Sequence, residues 1–386
     1  MKMVKGFKDS IILTEKGIIK TNILIDNGII TKIGDFEADG LITLDEDKIV
    51  IPGFIDEHIH GSFNSDVLDG DIDALKNMAN SLLKEGTTAF LATTSTASKD
   101  ILEKSLKNVC EYISKYNDSS IVLGVHLEGP FISNKYLGAQ MGEFVEKPSV
   151  NLFKHYNSLS GNNILLVSYA PEEDVDYTFT KYLKESLITA SVGHSAASYQ
   201  EVIKAINNGL TCSTHTYNAQ KGIHHREVGV VGASMLEDEL YTELICDGIH
   251  VSYPAVRLLV KNKPHDKIVL ITDSLRVKHL DDGKYIEPSG QVIIKKDGVA
   301  RLEDGTIAGS ILKMNEAVKN ILVNTNVSFI DAVNFASANP AKNLRIFDKM
   351  GSISVGKLAN LLVVDKDINI YKTIVNGKIL YEKSED

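Results

Sequence analysis

Histidines and acidic residues stand at the ends of apolar segments in this sequence of 386 residues. The first such segment ends in His58 and His60, and a later one ends in Glu128. Alternate residues of a β-strand point to the same face, so His58 and His60 could both reach one ion. Imidazole and carboxylate groups suit Zn²⁺ or Fe²⁺, and no thiolate ligand is offered at these positions.

Four further apolar segments carry residues of the same chemical character at or near their ends, namely His194, His215, His250 and Asp273. A single histidine at a strand end is more often a hydrogen-bonded polar residue than a metal ligand. Chance rarely supplies six such ends, however, and their number favours a common site. If the segments are parallel strands of a barrel, their carboxyl ends meet at one mouth and these side chains face one another.

Apolar segments alternate with longer amphipathic segments through the middle of the chain. We predict strands at 49–60, 87–94, 120–128, 163–172, 189–194, 211–218, 241–250 and 267–273, with helices at 71–85, 99–116, 199–208 and 253–261. This alternation indicates parallel strands, and about eight repeats indicate an α/β fold with a (β/α)8 TIM-like barrel. The alternative is an open doubly wound sheet, but its nucleotide-binding form needs a glycine-rich turn that the first strand lacks.

Both ends of the chain carry short alternating segments joined by an Asn-Gly pair, at Asn27-Gly28 and at Asn376-Gly377. Such pairs are typical of tight β-hairpins, which are only marginally stable alone. We therefore predict that residues 1–50 and 355–386 form one small β-sandwich domain, beside a barrel domain at 51–354. Three Asp-Gly pairs within 274–305 predict a further small β excursion.

Composition excludes several classes of protein. Hydrophobic residues make up 43% of the chain and charged residues 24%, which excludes wholesale disorder. The formal charge of −10 disfavours nucleic acid as a partner. No apolar run approaches the ~20 residues of a membrane helix, and no signal peptide is visible. The three cysteines lie far apart without a C-x-x-C pair, which fits a reducing cytoplasm.

One loop concentrates basic residues in this acidic protein. Residues 218–226 include Lys221, His224, His225 and Arg226. Arg226 could hold a phosphate with two parallel hydrogen bonds. An ordinary solvated loop would have the same composition, so composition alone does not decide between the two interpretations.

In their order and residues, these motifs resemble the N-acetylglucosamine-6-phosphate deacetylases of the amidohydrolase superfamily over nearly the whole chain. The segments that carry the resemblance are 52–61, 126–133, 192–196, 214–219, 224–229, 247–251, 271–274, 338–341 and 351–360. The most specific are His-Leu-Glu-Gly-Pro-Phe at 126–131 and the combination of Asn218-Ala219 with His224-His225-Arg226. The resemblance implies a hydrolase that converts N-acetyl-D-glucosamine 6-phosphate to D-glucosamine 6-phosphate and acetate in amino-sugar catabolism.

The same resemblance implies roles for individual residues. Glu128, His194 and His215 match the ligands of the principal metal, and Asp273 matches the catalytic acid and base. His58 and His60 match a pair that some members use for a second ion, so Zn or Fe could bind as one or two ions per subunit. The matching substrate contacts are Ala139, Gln140, Asn218, Ala219, His225, Arg226, His250, Ile307, Ala308 and Gly309. The family also implies a homodimer whose phosphate site is shared across the interface.

Two rival interpretations remain at this stage. A dihydroorotase- or deaminase-like metal hydrolase would commonly bridge two metals with a carbamylated lysine, whereas Glu128 occupies that strand end here. A catalytically inactive relative that serves as a scaffold would be expected to have lost ligands. Gln220-Lys221-Gly222 and Ser252 depart from the family pattern, which affects the expected substrate preference rather than the reaction. N-acetylglucosamine and N-acetylgalactosamine 6-phosphates are not distinguished.

Overall fold

The protein is described by a computed structural model that covers residues 2–116 and 118–384. Eight parallel strands form its centre: β1 Phe54–Ile59, β2 Thr87–Thr93, β3 Ile121–Glu128, β4 Ile164–Tyr169, β5 Thr189–Val192, β6 Leu210–Ser213, β7 Tyr241–Ile245 and β8 Ile268–Ile271. Neighbours in the sheet follow chain order, whereas a doubly wound sheet reverses order at a switch point. The predicted TIM-like barrel is therefore confirmed.

The barrel closes where its last strand meets its first. The backbone N–H of Asp273 donates to the carbonyl oxygen of His58 at 2.8 Å, and that of His60 donates to Ser274 at 3.0 Å. These bonds lie at the carboxyl ends of β1 and β8. The closure thus places Asp273 beside the two histidines of β1.

Helices surround the barrel and bury their apolar faces against it. The described residues form ten α-helices: α1 Ile72–Leu82, α2 Lys99–Lys115, α3 Val150–Leu159, α4 Thr178–Glu185, α5 Tyr199–Asn208, α6 Gly229–Leu236, α7 Tyr253–Asn262, α8 Met314–Asn324, α9 Phe329–Phe335 and α10 Ala338–Asn343. In α1 the buried residues Leu75, Met78 and Leu82 recur at helical spacing. No helix in the described ranges is long and apolar enough to cross a membrane.

Several observed strands are shorter than the sequence pattern predicts. Where we predict a strand at 211–218, the observed strand β6 ends at Ser213. Where we predict one at 241–250, the observed strand β7 ends at Ile245. His215 and His250 therefore lie in the turns that follow β6 and β7. The alternation of apolar and polar residues continues past the end of each strand, although the backbone leaves the sheet there. The sequence pattern therefore does not show where these strands end.

The two ends of the chain share one nine-stranded sheet. Its strands are Lys2–Met3, Gly6–Thr14, Gly17–Asp26, Ile29–Gly34, Ile42–Thr43, Ile49–Pro52, Leu361–Val364, Ile370–Val375 and Lys378–Glu382. Ile49–Pro52 joins the two ends, because it pairs in parallel with Gly6–Thr14 and antiparallel with Leu361–Val364. The β segments at both chain ends and their Asn-Gly hairpins are thus confirmed.

Gly53 divides the predicted strand 49–60 between this sheet and the barrel. A Cβ atom at Gly53 would lie 2.2 Å from Oγ1 of Thr88, so only glycine allows β1 and β2 to approach here. The predicted β excursion also exists, as three antiparallel strands at Gly283–Ile286, Val292–Lys296 and Val299–Leu302. This insert packs beside the barrel mouth, with Ala308 in its small apolar cluster.

Candidate active site

Three of the predicted metal ligands converge at the barrel mouth. The Oε1 atom of Glu128 lies 3.2 Å from Nε2 of His194 and 3.0 Å from Nε2 of His215, and the two nitrogens lie 3.0 Å apart. All three residues are buried. Ligand atoms about 3 Å from one another suit a shared ion with bonds of about 2.0–2.2 Å.

Hydrogen bonds orient two of these ligands. Nδ1 of His194 donates to the carbonyl oxygen of Tyr136 at 3.0 Å, which leaves Nε2 of a neutral ring with its lone pair toward the centre. The amide of Gln140 donates to Oε2 of Glu128 at 2.8 Å and accepts from the backbone N–H of Thr96 at 2.7 Å. Gln140, predicted as a substrate contact, therefore also holds Glu128.

His58, His60 and Asp273 form a second set beside the first. Oδ1 of Asp273 lies 3.1 Å from Nε2 of His60 and 3.4 Å from Nε2 of His58. Nε2 of His58 is fully buried and has no hydrogen-bond partner among the described residues. Two carboxylate oxygens within 3.4 Å of a nitrogen that makes no well-aligned hydrogen bond suit a position for a cation.

The electrostatics of the cluster support the same fit. Burial alone would lower the pKa of His60, but hydrogen bonds to Asp273 and Glu128 raise it to about 10. Burial would conversely raise the pKa of Glu128, yet the charge of His58 and hydrogen bonds from the histidines hold it well below its ordinary value. The buried carboxylates of Glu128 and Asp273 therefore require compensating positive charge, which a divalent ion would supply.

A cavity opens above these two ligand sets. Most of the predicted substrate contacts line it, namely Ala139, Gln140, Asn218, Ala219, His250, Ile307, Ala308 and Gly309. Asp273 also lines the cavity, together with His60, Glu128, His194 and His215. Residues that are far apart in the sequence thus share one concave site with the candidate metal ligands.

His225 and Arg226 lie elsewhere. Both are exposed, and Nη1 of Arg226 lies 2.7 Å from Nε2 of His225. Neither residue lines the cavity of the described chain. His225 and Arg226 are therefore not part of the cavity that this chain forms, although Asn218 and Ala219 of the same loop line it.

His250 has both ring nitrogens in hydrogen bonds. Nδ1 lies 2.6 Å from Oδ2 of Asp247, and Nε2 lies 2.8 Å from the carbonyl oxygen of Ala308. Burial opposes protonation, but the hydrogen bond and charge of Asp247 raise the pKa of His250 above its ordinary value. Both nitrogens can donate at once only in the imidazolium form.

Sequence reasoning missed one wall of the cavity. Asp66, Glu287, Ser289 and Gln291 line it, and the last three come from the β insert. Burial and the neighbouring charge of Asp66 raise the pKa of Glu287 well above its ordinary value. No histidine or strand-end pattern marks these residues, so their position could be found only from the packing of the insert.

Comparisons with known proteins agree with this geometry. The N-acetylglucosamine-6-phosphate deacetylase of Bacillus subtilis (strain 168) is 40% identical to this chain. The match covers 98% of this chain and 97% of that protein. The N-acetylgalactosamine-6-phosphate deacetylase of Escherichia coli O157:H7 is 31% identical over 369 residues, covering 95% and 97%. A crystal structure of N-acetylglucosamine-6-phosphate deacetylase from Thermotoga maritima superposes with a TM-score of 0.89 at 34% identity, covering 98% of this chain and 100% of that one.

A family model supports the same assignment. The model described as the amidohydrolase family matches residues 49–380, which include the whole barrel and its return to the terminal sheet. The matched range contains both candidate ligand sets and Asp273. The chain belongs to the amidohydrolase family.

Proposed function

We propose that this protein is an N-acetylglucosamine-6-phosphate deacetylase, which hydrolyses the acetamide to give D-glucosamine 6-phosphate and acetate in amino-sugar catabolism. The observation that carries the proposal is the convergence of Glu128, His194 and His215 on one buried point, with Asp273 beside it on the same cavity. The names and the extent of the similar proteins support it.

Glu128, His194 and His215 would hold the principal divalent ion, and His58, His60 and Asp273 are suited to a second one. We propose Zn or Fe, because imidazole and carboxylate ligands suit both. When bound, such an ion lowers the pKa of water toward about 7 and polarises a carbonyl group. The remaining chemistry belongs to side chains of the protein.

Asp273 is the proposed acid and base. Its carboxylate would take a proton from the attacking water as the new carbon–oxygen bond forms. It would then give that proton to the nitrogen as the carbon–nitrogen bond breaks, because an amine leaves poorly unless it is protonated. The low pKa of Asp273, which the charges of His58 and His60 maintain against burial, keeps the carboxylate available as the base.

His250 would position the substrate. Its Nε2–H donates to the carbonyl oxygen of Ala308, within the segment 307–309 that is proposed to contact the sugar. We propose that a substrate oxygen replaces this acceptor, so that His250 orients the acetamide or stabilises the charge that develops on it. A hydrogen bond to the acetamide itself would hold the amide in place for attack.

We propose that His225 and Arg226 bind the 6-phosphate in the cavity of a neighbouring subunit, in a homodimer. Among the described residues that line the cavity there is no lysine or arginine, although the substrate is a dianion. The exposed pair of His225 and Arg226 offers the missing positive charge. An exposed basic pair outside its own cavity is what a shared phosphate site requires.

We also propose a cytoplasmic location, with neither nucleic acid nor membrane as a partner. The three cysteines are unpaired, as a reducing compartment allows. The substrate is a small phosphorylated sugar, which would be available inside the cell.

The decisive experiment measures acetate release from N-acetylglucosamine and N-acetylgalactosamine 6-phosphates, with the metal content determined on the same sample. We expect acetate in equal amount to the free amine, loss of activity with a chelator, and recovery with Zn²⁺ or Fe²⁺. A galactosamine preference is the second candidate, favoured by the similarity to the Escherichia coli protein. Metal-loaded protein that releases acetate from neither sugar would refute the proposal and favour a scaffold.

A further inference from the structure

Glu243 lies directly beneath the two ligand sets, on β7, and is completely buried. Its Oε2 atom accepts two hydrogen bonds from residues of the candidate metal sites. Nδ1 of His58 donates at 2.9 Å, and the backbone N–H of His215 donates at 3.0 Å. One carboxylate oxygen thus connects a ligand of the second set to a ligand of the first. The proposed reaction does not use Glu243.

These contacts determine which nitrogen of His58 is available to bind an ion. With Glu243 ionised, its Oε2 atom accepts from the ring, which places the hydrogen on Nδ1 and, in a neutral ring, the lone pair on Nε2. That Nε2 atom lies 3.3 Å from Oε1 of Glu128 and 3.4 Å from Oδ1 of Asp273. A carboxylate that holds an imidazole in this way fixes its orientation and makes it a better ligand.

We propose that Glu243 is a positioning residue for metal binding, which presents Nε2 of His58 and anchors the turn that carries His215. Affinity for an ion at His58, His60 and Asp273 would depend on Glu243 although it touches no ion itself. This inference goes beyond the proposed function, because it concerns the metal sites alone and holds for any substrate.

The chain offers a matched control in Glu57. Glu57 is equally buried, and one of its carboxylate oxygens lies within 4.8 Å of Glu243 and of Cys212 Sγ. Its Oε1 atom accepts from the side-chain amide of Asn343 at 2.7 Å, and it makes no hydrogen bond to a histidine ring. Replacement of either glutamate by glutamine therefore makes a similar change in the same buried region, but only the side chain of Glu243 is hydrogen-bonded to candidate ligands.

The test compares Glu243→Gln and Glu57→Gln by Co²⁺ titration of the metal-stripped protein and by metal analysis, without any substrate. We expect Glu243→Gln to weaken binding at the second position by roughly 10- to 100-fold. Glu57→Gln should stay within about twofold of the wild-type protein, since the Glu57 side chain makes no hydrogen bond to a candidate ligand. Wild-type affinity in Glu243→Gln, or an equal loss in both variants, would overturn the proposal.

A second measurement applies if Glu243→Gln does not fold. The ¹⁵N resonances of the histidine rings in the Zn²⁺-loaded wild-type protein report which nitrogen carries hydrogen. We expect His58 to be protonated at Nδ1 and bare at Nε2. A hydrogen on Nε2 would exclude His58 as a ligand and Glu243 as the residue that positions it. Because neither readout uses turnover, failure here would leave the proposed deacetylase activity untouched.

Discussion

At the scale of single residues, the candidate site depends on backbone conformations that side chains rarely allow. His194, His215 and Asp273 have φ angles of 46°, 31° and 48°, in the left-handed region. Each such residue costs roughly 1–3 kcal/mol and persists only where the surroundings hold it. At Asp273 the backbone bond to His58 is one such restraint. These conformations turn three side chains from the strand ends into the cavity that all three line.

Replacement of Asp273 by asparagine should reduce turnover at least ~100-fold, because the amide can neither take the proton from water nor give it to the amine. The ion held by Glu128, His194 and His215 should remain, since Asp273 is not in that set. Acetate release and metal content on one sample measure both effects. Near-normal turnover of Asp273→Asn would remove this residue from the proposed role.

The pH profile should reveal the pairing of His250 with Asp247. The negative charge of Asp247 stabilises the imidazolium and so raises the pKa of His250. In Asp247→Asn that support is lost and the pKa falls, so a rate that needs protonated His250 should decline at lower pH. The measurement is the alkaline limb of kcat/KM against pH. A limb that does not move would show that protonated His250 is not required.

At the scale of elements, the junction between β5 and α5 carries the candidate ligand His194. After β5, the chain passes through His194 and enters α5 at Ser198, whose side chain accepts from the backbone N–H of Glu201. The side-chain carboxylate of Glu201 accepts a hydrogen bond from the backbone N–H of Ser198, which completes a capping box. Local residue types therefore determine where α5 begins, while the hydrogen bond to the carbonyl oxygen of Tyr136 orients the ring of His194.

Loss of this cap should affect stability more than chemistry. We expect Ser198→Ala to lower the free energy of unfolding by about 1 kcal/mol, because the first turn of α5 loses an acceptor. Turnover should stay close to that of the wild-type protein, and urea unfolding with acetate release measures both. Lys204→Ala, on the exposed face of the same helix, is the control and should change stability by less than about 0.5 kcal/mol. Equal losses in both variants would contradict the importance of the cap.

At the scale of the whole molecule, the two chain ends meet in the nine-stranded sheet, which the barrel strand β1 follows directly through Gly53. We continue to propose domain limits of 1–50 with 355–386 and of 51–354.

The cavity itself is acidic at Asp66 and Glu287, and its described lining residues include no lysine or arginine. Phosphate recognition is therefore a property that we assign to the assembly rather than to one subunit.

Arg226→Ala tests this assignment. We expect a loss of roughly 100-fold or more in kcat/KM for the phosphorylated sugar, because a bidentate charge-assisted contact is removed. The unphosphorylated sugar should be affected little. Arg257→Ala, which removes another exposed arginine on α7, should change neither. Equal losses of Arg226→Ala on both sugars would refute the phosphate role.

The oligomeric state gives an independent check of the same proposal. A dimer by analytical ultracentrifugation is expected, and inactive Asp273→Asn mixed with inactive Arg226→Ala should recover activity, since one cavity in a mixed dimer would then be intact. A protein that stays monomeric while active would contradict a phosphate site shared between subunits.

The amino-acid sequence by itself determined the fold class, the terminal hairpins and the type of chemistry of this protein. The alternation of apolar and amphipathic segments indicated the barrel, the Asn-Gly pairs indicated both terminal hairpins, and the residue types at His58, Glu128 and Asp273 indicated hydrolytic metal chemistry. These features depend on spacing along the chain, which sequence displays directly. Their order also carried the family resemblance that the comparisons confirm.

Only the tertiary structure decided how these parts meet. The predicted strands extend past the observed strand ends, because hydrophobic alternation does not show the backbone turns at His194 and His215. The wall formed by Glu287 and the support given by Glu243 depend on contacts between residues far apart in the chain. Periodicity reports which face of an element is buried, but the partner across that face is set by closure of the barrel and packing of the insert.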